Sequence, residues 1–207
     1  MQIIETKVFT FQELSEKAKE SARDWYREDA LSYEWYDLIY GDFVDICEIL
    51  GISLKIHKES KAYPCIWFSG FSSQGDGACY EGSYSYAKDS CAKIRAHAPQ
   101  ATELHRIADS LQAAQKANFY QLKASIEHSW RYYHAGCMSI NVERDSPNYQ
   151  ASAGDSEDQV IEALRDLANW LYQALESEHD WLLSDECVDE SIIANQYTFT
   201  ESGKRFD

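Results

Sequence analysis

The chain has 207 residues and a formal net charge of −16, and 44% of its residues are hydrophobic and 14% aromatic. This length and apolar content suit one large domain or two small ones, and they exclude a largely disordered chain. The surplus of carboxylates argues against direct binding to DNA or RNA, because lysine and arginine are the residues that neutralise phosphates.

The N-terminal residues and the cysteines predict an intracellular protein. The opening MQIIETKVFTF lacks the charged and then apolar pattern of a signal peptide, and no apolar run is long enough to span a membrane. None of the six cysteines forms a CxxC pair, and the histidines lack the spacing of zinc ligands. We therefore expect free thiols, a cytoplasmic location, no metal site and no cofactor.

The first half of the chain predicts a strand, two helices and a β-rich region. A strand is expected over residues 2–9, and a helix follows from the N-cap Thr10, with Glu13 completing a capping box. A second helix is expected from Tyr33 to Leu50. Alternating apolar residues then predict three strands, which are 52–56, 65–71 and a third that places Tyr80, Tyr84 and Tyr86 on one face.

The second half predicts a helix, a hairpin and an acidic helical segment. Pro99 opens the helix, and the segment 146–154 has the composition of a loop. Strands are expected over 126–132 and 138–142, joined by a turn at 134–136. A long helix is expected after residue 155, and its apolar stripe consists of Ile161, Leu164, Ala168, Leu171, Leu175 and Leu182. A helix over 187–195 and a strand over 197–200 follow. This order predicts an α+β fold, a mainly antiparallel sheet flanked by helices. We expect an α+β core over 1–145 and an acidic helical segment with a closing strand over 155–207, packed on the same domain.

The glycine-rich segment from Phe68 to Gly82 is the densest candidate for a ligand site. Its glycines allow the backbone to approach a ligand closely, but no Walker lysine is present. A plain hairpin loop explains the glycines, and we favour it over a ligand loop. The residues of the alternative ligand loop, with two from the later hairpin, are Gln74, Gly75, Asp76, Gly77, Glu81, Arg131 and Tyr133.

Cys79 is the most tempting nucleophile in this segment, with His134 or His128 as base and Asp76 or Glu81 to orient it. Such a site requires contacts in space that a sequence does not show. A free cysteine in a strand is more often a small core residue. We therefore expect no catalytic residues, and we keep Cys79, His134 and Asp76 as the alternative hypothesis of a small enzyme.

Residues 155–190 contain twelve carboxylates and one arginine. Three of the carboxylates, Asp158, Glu162 and Asp166, recur every four residues, which places them on one helix face about 6 Å apart. Such a row could imitate the phosphates of DNA for a DNA-binding protein, although a solvated acidic face that keeps the protein soluble explains it equally well. The predicted partner-binding residues are Asp158, Glu162, Asp166, Glu176, Asp180, Asp185 and Glu186.

Three segments, TFQELSEKAKESARDWYRE, FSGFSSQGDGACYEGSYSY and RYYHAGCMSINVE, carry a resemblance to a known family. Over roughly the first 145 residues, the chain resembles small, mostly uncharacterised phage and prophage proteins, some of which are labelled antitoxins. The resemblance implies a phage or mobile-element origin and brings no catalytic residues.

Together with the acidic face, this resemblance predicts a phage-encoded inhibitor of the anti-CRISPR or anti-restriction type, which binds a basic, nucleic-acid-binding defence protein of the host. The alternatives are an antitoxin that neutralises a basic toxin and the small enzyme above. No membrane partner is expected, and the many tyrosines are compatible with a homodimer.

Overall fold

The computed structural model describes residues 6–57, 63–129, 131–146 and 151–206. These residues form helices and antiparallel sheets, which confirms the predicted α+β fold class. They belong to two compact units: unit 1 comprises residues 1–37 and 176–207, and unit 2 comprises residues 38–175. The units do not coincide with the expected segments 1–145 and 155–207, because unit 1 combines the two ends of the chain.

Helices and short strands occur in groups along the chain. The helices are α1 (Glu16–Arg27), α2 (Asp37–Leu50), α3 (Ser90–His97), α4 (Thr102–Ala117), α5 (Ser156–Leu182) and α6 (Asp185–Ala194). The strands are β1 (Phe9–Thr10), β2 (Ile52–Leu54), β3 (Ile66–Phe68), β4 (Ala78–Tyr80), β5 (Gly82–Ser85), β6 (Leu122–His128), β7 (Met138–Arg144), β8 (Thr198–Phe199) and β9 (Arg205–Phe206). Within the described residues, no helix has both the length and the apolar character that crossing a membrane requires.

Unit 1 begins with the predicted capping box, but the box closes a short 3-10 turn and not the helix. The Glu13 carboxylate accepts hydrogen bonds from the N–H and the hydroxyl of Thr10, both at 2.8 Å. The chain is extended at Leu14, and α1 then starts after Ser15, whose hydroxyl accepts from the N–H of Ala18. The predicted helix start at Thr10 is therefore wrong. The predicted strand over 2–9 lies partly outside the described residues, and the strand observed there is β1.

The core of unit 1 joins α1 and α6 to a three-stranded sheet of order β1–β8–β9. Apolar side chains from both ends of the chain are buried together, because each helix has one apolar stripe to remove from water. The buried members are Phe11, Leu14, Ala18, Ala22, Val188, Ile192 and Phe199. Strand β8 lies within the predicted strand 197–200, and α6 confirms the predicted helix over 187–195 with a start two residues earlier.

Unit 2 contains a four-stranded antiparallel sheet of order β2–β5–β6–β7 and the pair β3–β4. The predicted single strand with Tyr80, Tyr84 and Tyr86 is wrong, because it breaks at Glu81. The N–H of Glu81 donates to the carbonyl of Cys65, and its own carbonyl accepts from the N–H of Lys55, both at 2.9 Å. Residues before Glu81 therefore pair with β3, and residues after it pair with β2 and β6.

Several element bounds in unit 2 differ from the predicted ones. Helix α2 starts four residues after Tyr33, and α3 was not predicted. Pro99 lies in the turn between α3 and α4. Strand β6 covers residues 122–128, so the predicted strand 126–132 is wrong beyond His128, where residues 131 and 132 form a bend. Strand β7 confirms the prediction over 138–142, and the described part of 146–154 has no helix or strand.

Helix α5 confirms the predicted long helix. Its buried residues in unit 2 include Leu164, Ala168, Leu171 and Leu175, whereas Ile161 is only half-buried. Tyr80 is fully buried beneath it and donates a hydrogen bond from its hydroxyl to the carbonyl of Leu164 at 2.9 Å. This bond satisfies the one polar atom of a side chain that is otherwise core.

Candidate functional site

The glycine-rich loop uses its polar groups to build its own turn. The Asp76 carboxylate accepts from the N–H groups of Ser72 and Ser73, at 3.0 and 2.7 Å. Gly75 has a φ of +99°, a conformation that favours glycine. A Cβ on Gly77 would lie 2.5 Å from the Cβ of His134, so this glycine is required by the close approach of the later hairpin. These contacts explain the loop without a ligand.

The geometry around Cys79 does not favour nucleophilic catalysis. Cys79 is fully buried, and burial raises the pKa of its thiol to about 12. The thiol that contacts His134 is that of Cys137, at 3.2 Å from Nε2. The N–H of Gly136 donates to His134 Nδ1 at 3.1 Å, so Nδ1 carries no proton and the ring N–H lies on Nε2. His134 therefore donates toward Cys137 and cannot accept its proton there.

A different group of side chains surrounds a cleft of about 340 Å³ in unit 2, at the end of β2 and β6, which we call the Trp67 cleft. This volume suits a small molecule. The cleft is lined by Lys55, Ile56, His57, Cys65, Trp67, Glu81 and His128.

A carboxylate and an ammonium group lie side by side in the Trp67 cleft. The break between β4 and β5 holds Glu81 beside Lys55, and one oxygen of Glu81 accepts from the Lys55 ammonium. The other oxygen accepts from the backbone N–H of His128 at 3.2 Å. Burial opposes ionisation of Glu81, but these hydrogen bonds outweigh it and lower the pKa of its carboxyl. Glu81 is therefore a fixed, ionised acceptor.

Three aromatic rings form a platform next to this pair. Trp67 and Tyr133 are nearly parallel, with 6.2 Å between ring centroids, and His128 lies 5.5 Å from Trp67 and 5.2 Å from Tyr133. The Nε2–H of His128 donates to the carbonyl of Tyr132 at 2.9 Å, which fixes that ring. His57 meets Trp67 edge-on at 5.3 Å. Trp67 is only half-buried, so part of the platform faces solvent.

The cleft contains two residues of the predicted ligand loop and omits the others. Glu81 lines it and Tyr133 belongs to its platform, whereas Gln74, Gly75 and Asp76 lie on the self-contained turn. Arg131 is exposed. Sequence reasoning missed Lys55, His57 and Trp67 as site residues, because the break at Glu81 that gathers them follows from a tertiary pairing. The sequence signal for this site was Lys55, which lies on the polar side of the alternating segment 52–56.

The acidic row on α5 is partly neutralised by the chain itself. Asp158 and Glu162 are exposed, and neither has an ion pair among the described residues. Asp166 is bonded to Arg106 of α4, which also binds Glu103. Asp166 therefore already has a cation that the packing of α4 supplies, and the role of this row in partner binding stays a prediction.

In unit 1, the carboxylates of α6 divide between two faces. Arg23 donates to both oxygens of Asp189, at 2.6 and 2.7 Å, and Arg27 is bonded to Asp185. Asp185 therefore already has a cation on its own chain, and its role in partner binding stays a prediction. Glu186 and Glu190 lie on another face, are exposed and have no ion pair among the described residues.

The two predicted partner-binding residues in the last turns of α5 differ in exposure. Glu176 is half-buried, and Asp180 is exposed with the His179 ring 3.3 Å away. In the part of the chain that the structure describes, no three histidine, cysteine or carboxylate side chains are arranged to hold a metal ion.

Comparison with protein families identifies a matching domain. A family model described as a domain of unknown function, DUF8835, matches residues 35–185. The match covers more than half of the chain and includes all of unit 2. No curated protein and no solved structure matches.

Proposed function

We propose that this chain, which belongs to the DUF8835 family, is a non-enzymatic acidic protein that binds a basic, nucleic-acid-binding protein. The charge of unit 1 is the observation that carries the proposal. Unit 1 has 18 carboxylates against 7 lysines and arginines, whereas unit 2, with twice as many residues, has 17 against 12. A surface of this sign attracts a cationic groove and speeds its association.

Two exposed carboxylates of this unit that have no ion pair among the described residues lie on the outer face of α6, which we define by Glu186 and Glu190. These residues are one helical turn apart, about 100° around the helix from Asp185 and Asp189. The two arginines of α1 therefore neutralise the inner pair only. The helix dipole favours Glu186 in the first turn of α6, but Glu190 lies beyond that turn. A like-charged pair that no cation offsets in the described part of the chain is what a basic partner would recognise.

The proposed partner has a basic surface that otherwise holds nucleic acid. The resemblance to phage proteins supports a bacterial defence nuclease, which makes the chain an inhibitor that occupies a DNA site. An antitoxin acts by the same electrostatics on a basic toxin. The proposal includes a cytoplasmic location, which the six free thiols support.

Charge reversal tests the proposal. We compare the double variant Glu186→Lys, Glu190→Lys with the control Asp45→Lys, Glu48→Lys. The control pair is exposed on α2 of unit 2, has no ion pair among the described residues and changes the net charge equally. Tagged wild type and variants are incubated with bacterial lysate, and the retained proteins are identified by mass spectrometry.

The wild type and the control are expected to retain a basic nucleic-acid-binding protein, and added DNA is expected to release that protein. The α6 variant is expected to bind that protein at least about tenfold more weakly. Equal retention by the α6 variant would contradict the proposal, and so would the absence of any basic protein. A third variant, Asp158→Lys with Glu162→Lys, places the surface on α5 if it alone loses binding.

A further inference from the structure

A second site goes beyond the proposed function and is independent of the acidic surface. We propose that the Trp67 cleft binds a planar heteroaromatic ring with a lactam edge, that is, a ring N–H beside a ring carbonyl, as in guanine, hypoxanthine and uracil. Three features carry this inference: an acceptor, a donor and a stacking platform that lie together in a cleft of small-molecule size.

The acceptor is the Glu81 carboxylate. Only 14% of its side chain is exposed, and its two oxygens are fixed by Lys55 and by the N–H of His128. A carboxylate oxygen has two acceptor positions, so each oxygen retains one for a ligand N–H. A charged acceptor that is already held in place discriminates strongly between a ligand with an N–H and one without.

The donor is the Lys55 ammonium. It has three N–H bonds and shares one with Glu81, and 52% of its side chain is exposed. A lactam edge has its N–H and its C=O side by side, so it matches this neighbouring carboxylate and ammonium. Adenosine and cytidine present an amino N–H beside an unprotonated ring nitrogen, and a ring nitrogen with one lone pair satisfies the ammonium less well than a carbonyl oxygen with two.

Two rings of the platform, Trp67 and His128, line the cleft and supply the stacking surface. Every base can stack on an aromatic side chain, so the rings of the cleft provide affinity for any base. The pair formed by Glu81 and Lys55 provides the selectivity. The Lys55 charge is balanced by Glu81, and the chain as a whole is acidic, so the cleft does not attract phosphates strongly. These charges favour the ring of a free base or nucleoside as the ligand.

A panel of nucleosides tests the selectivity on the full chain. Guanosine, inosine, uridine, adenosine and cytidine are titrated, and binding is measured by calorimetry and saturation-transfer NMR. The first three are expected to bind, and adenosine and cytidine to bind about tenfold or more weakly. No binding of guanosine, inosine and uridine at millimolar concentration, or equal binding of adenosine and guanosine, would overturn the proposal.

Variants identify the site. Glu81→Gln is expected to weaken guanosine about tenfold and to remove the preference over adenosine, and Trp67→Leu to weaken all ligands. Lys123→Met is the control, because Lys123 is an exposed cation of β6 that pairs with Asp145 outside the cleft. Circular dichroism confirms folding of each variant, and Lys55→Met gives a second measurement if Glu81→Gln does not fold. If Glu81→Gln, or Lys55→Met in its place, retains the preference for guanosine over adenosine, the ligand lies elsewhere and the assignment is refuted.

Free nucleosides and single-stranded RNA present the same ring. Oligouridylate is therefore titrated beside uridine at two salt concentrations. Equal or weaker binding of the oligomer supports a free nucleoside as the source. Tighter binding that weakens with salt identifies single-stranded RNA as the source of the same ring and refutes the preference for a free nucleoside.

Discussion

The two units use their carboxylates in different ways. In unit 1, Arg23 and Arg27 of α1 bind Asp189 and Asp185 of α6, so part of the acidic surface holds the two ends of the chain together. In unit 2, Arg106 reaches Asp166, whereas Asp158 and Glu162 in the first turns of α5 have no ion pair among the residues that the structure describes. The difference teaches that the number of carboxylates in a segment does not show which of them can meet a partner. Availability depends on what the packed neighbours supply.

The largest expected effect concerns the core that joins the two ends of the chain. Phe199 is fully buried, and its ring lies 6.4 Å from Phe11 and 5.9 Å from Trp25. Phe199→Ala should lower the free energy of unfolding by about 3–5 kcal/mol, because it leaves a cavity in unit 1. Urea denaturation measures the change. Ile193→Ala is the control, since Ile193 is 43% exposed in the same unit, and an equal cost for both would contradict the assigned core.

The next effect compares an internal ion pair with a surface one. Arg23→Ala should cost about 2 kcal/mol, because it leaves Asp189 half-buried without its two charge-assisted hydrogen bonds. Lys123→Met in unit 2 should cause no measurable change, because Lys123 and Asp145 are both exposed. Thermal unfolding of both variants checks this contrast. If Lys123→Met destabilised the protein as much as Arg23→Ala, burial would not separate the two pairs.

Local patterns in the sequence predicted much of the fold. The capping box at Thr10, the long helix α5 and the strand β7 follow from signals within a few residues, such as a cap or a regular apolar period. The structure departs from the predictions where distant segments meet. The strand breaks at Glu81 because the residues before it pair with β3 and the residues after it pair with β2. Asp189 is neutralised by Arg23, which is 166 residues away in the sequence.

The candidate sites show the same limit. The carboxylate row was visible in the sequence. The ion pair that neutralises Asp166 comes from Arg106 of α4, and the helical period of α5 does not reveal this contact. The Trp67 cleft draws Lys55, Trp67, Glu81 and His128 from separate segments, and each looks ordinary in its own strand. Glu81 was predicted as a ligand residue for a different reason, the glycines near it, and those glycines serve the turn. Tyr133 was predicted as a residue of the later hairpin.

Glu81 gives a smaller, pH-dependent effect in unit 2. Its pKa is lowered in the folded state, so its contribution to stability is present above the ordinary pKa of glutamate, about 4.3, and is lost as the pH falls through the lower folded value. Glu81→Gln should cost about 1 kcal/mol at neutral pH and progressively less as the pH falls below the ordinary glutamate pKa of about 4.3. Thermal unfolding between pH 3 and 7 measures this. An effect of the substitution that does not change with pH would contradict an ionised Glu81.

The smallest effect tests whether the acidic row on α5 costs stability. Glu162→Lys replaces the like-charged pair with Asp158 by an attractive pair one turn apart, and should raise the free energy of unfolding by a few tenths of a kcal/mol. Glu162→Gln, which only removes the repulsion, should give a smaller gain, and 1 M salt should abolish both gains because the residues are exposed. Thermal unfolding at low and high salt measures this order. A loss of stability would mean that Glu162 has a favourable contact in the folded chain, and the row would then have a structural role. A gain means that the chain keeps these carboxylates against its own stability, which is expected of a surface that serves binding.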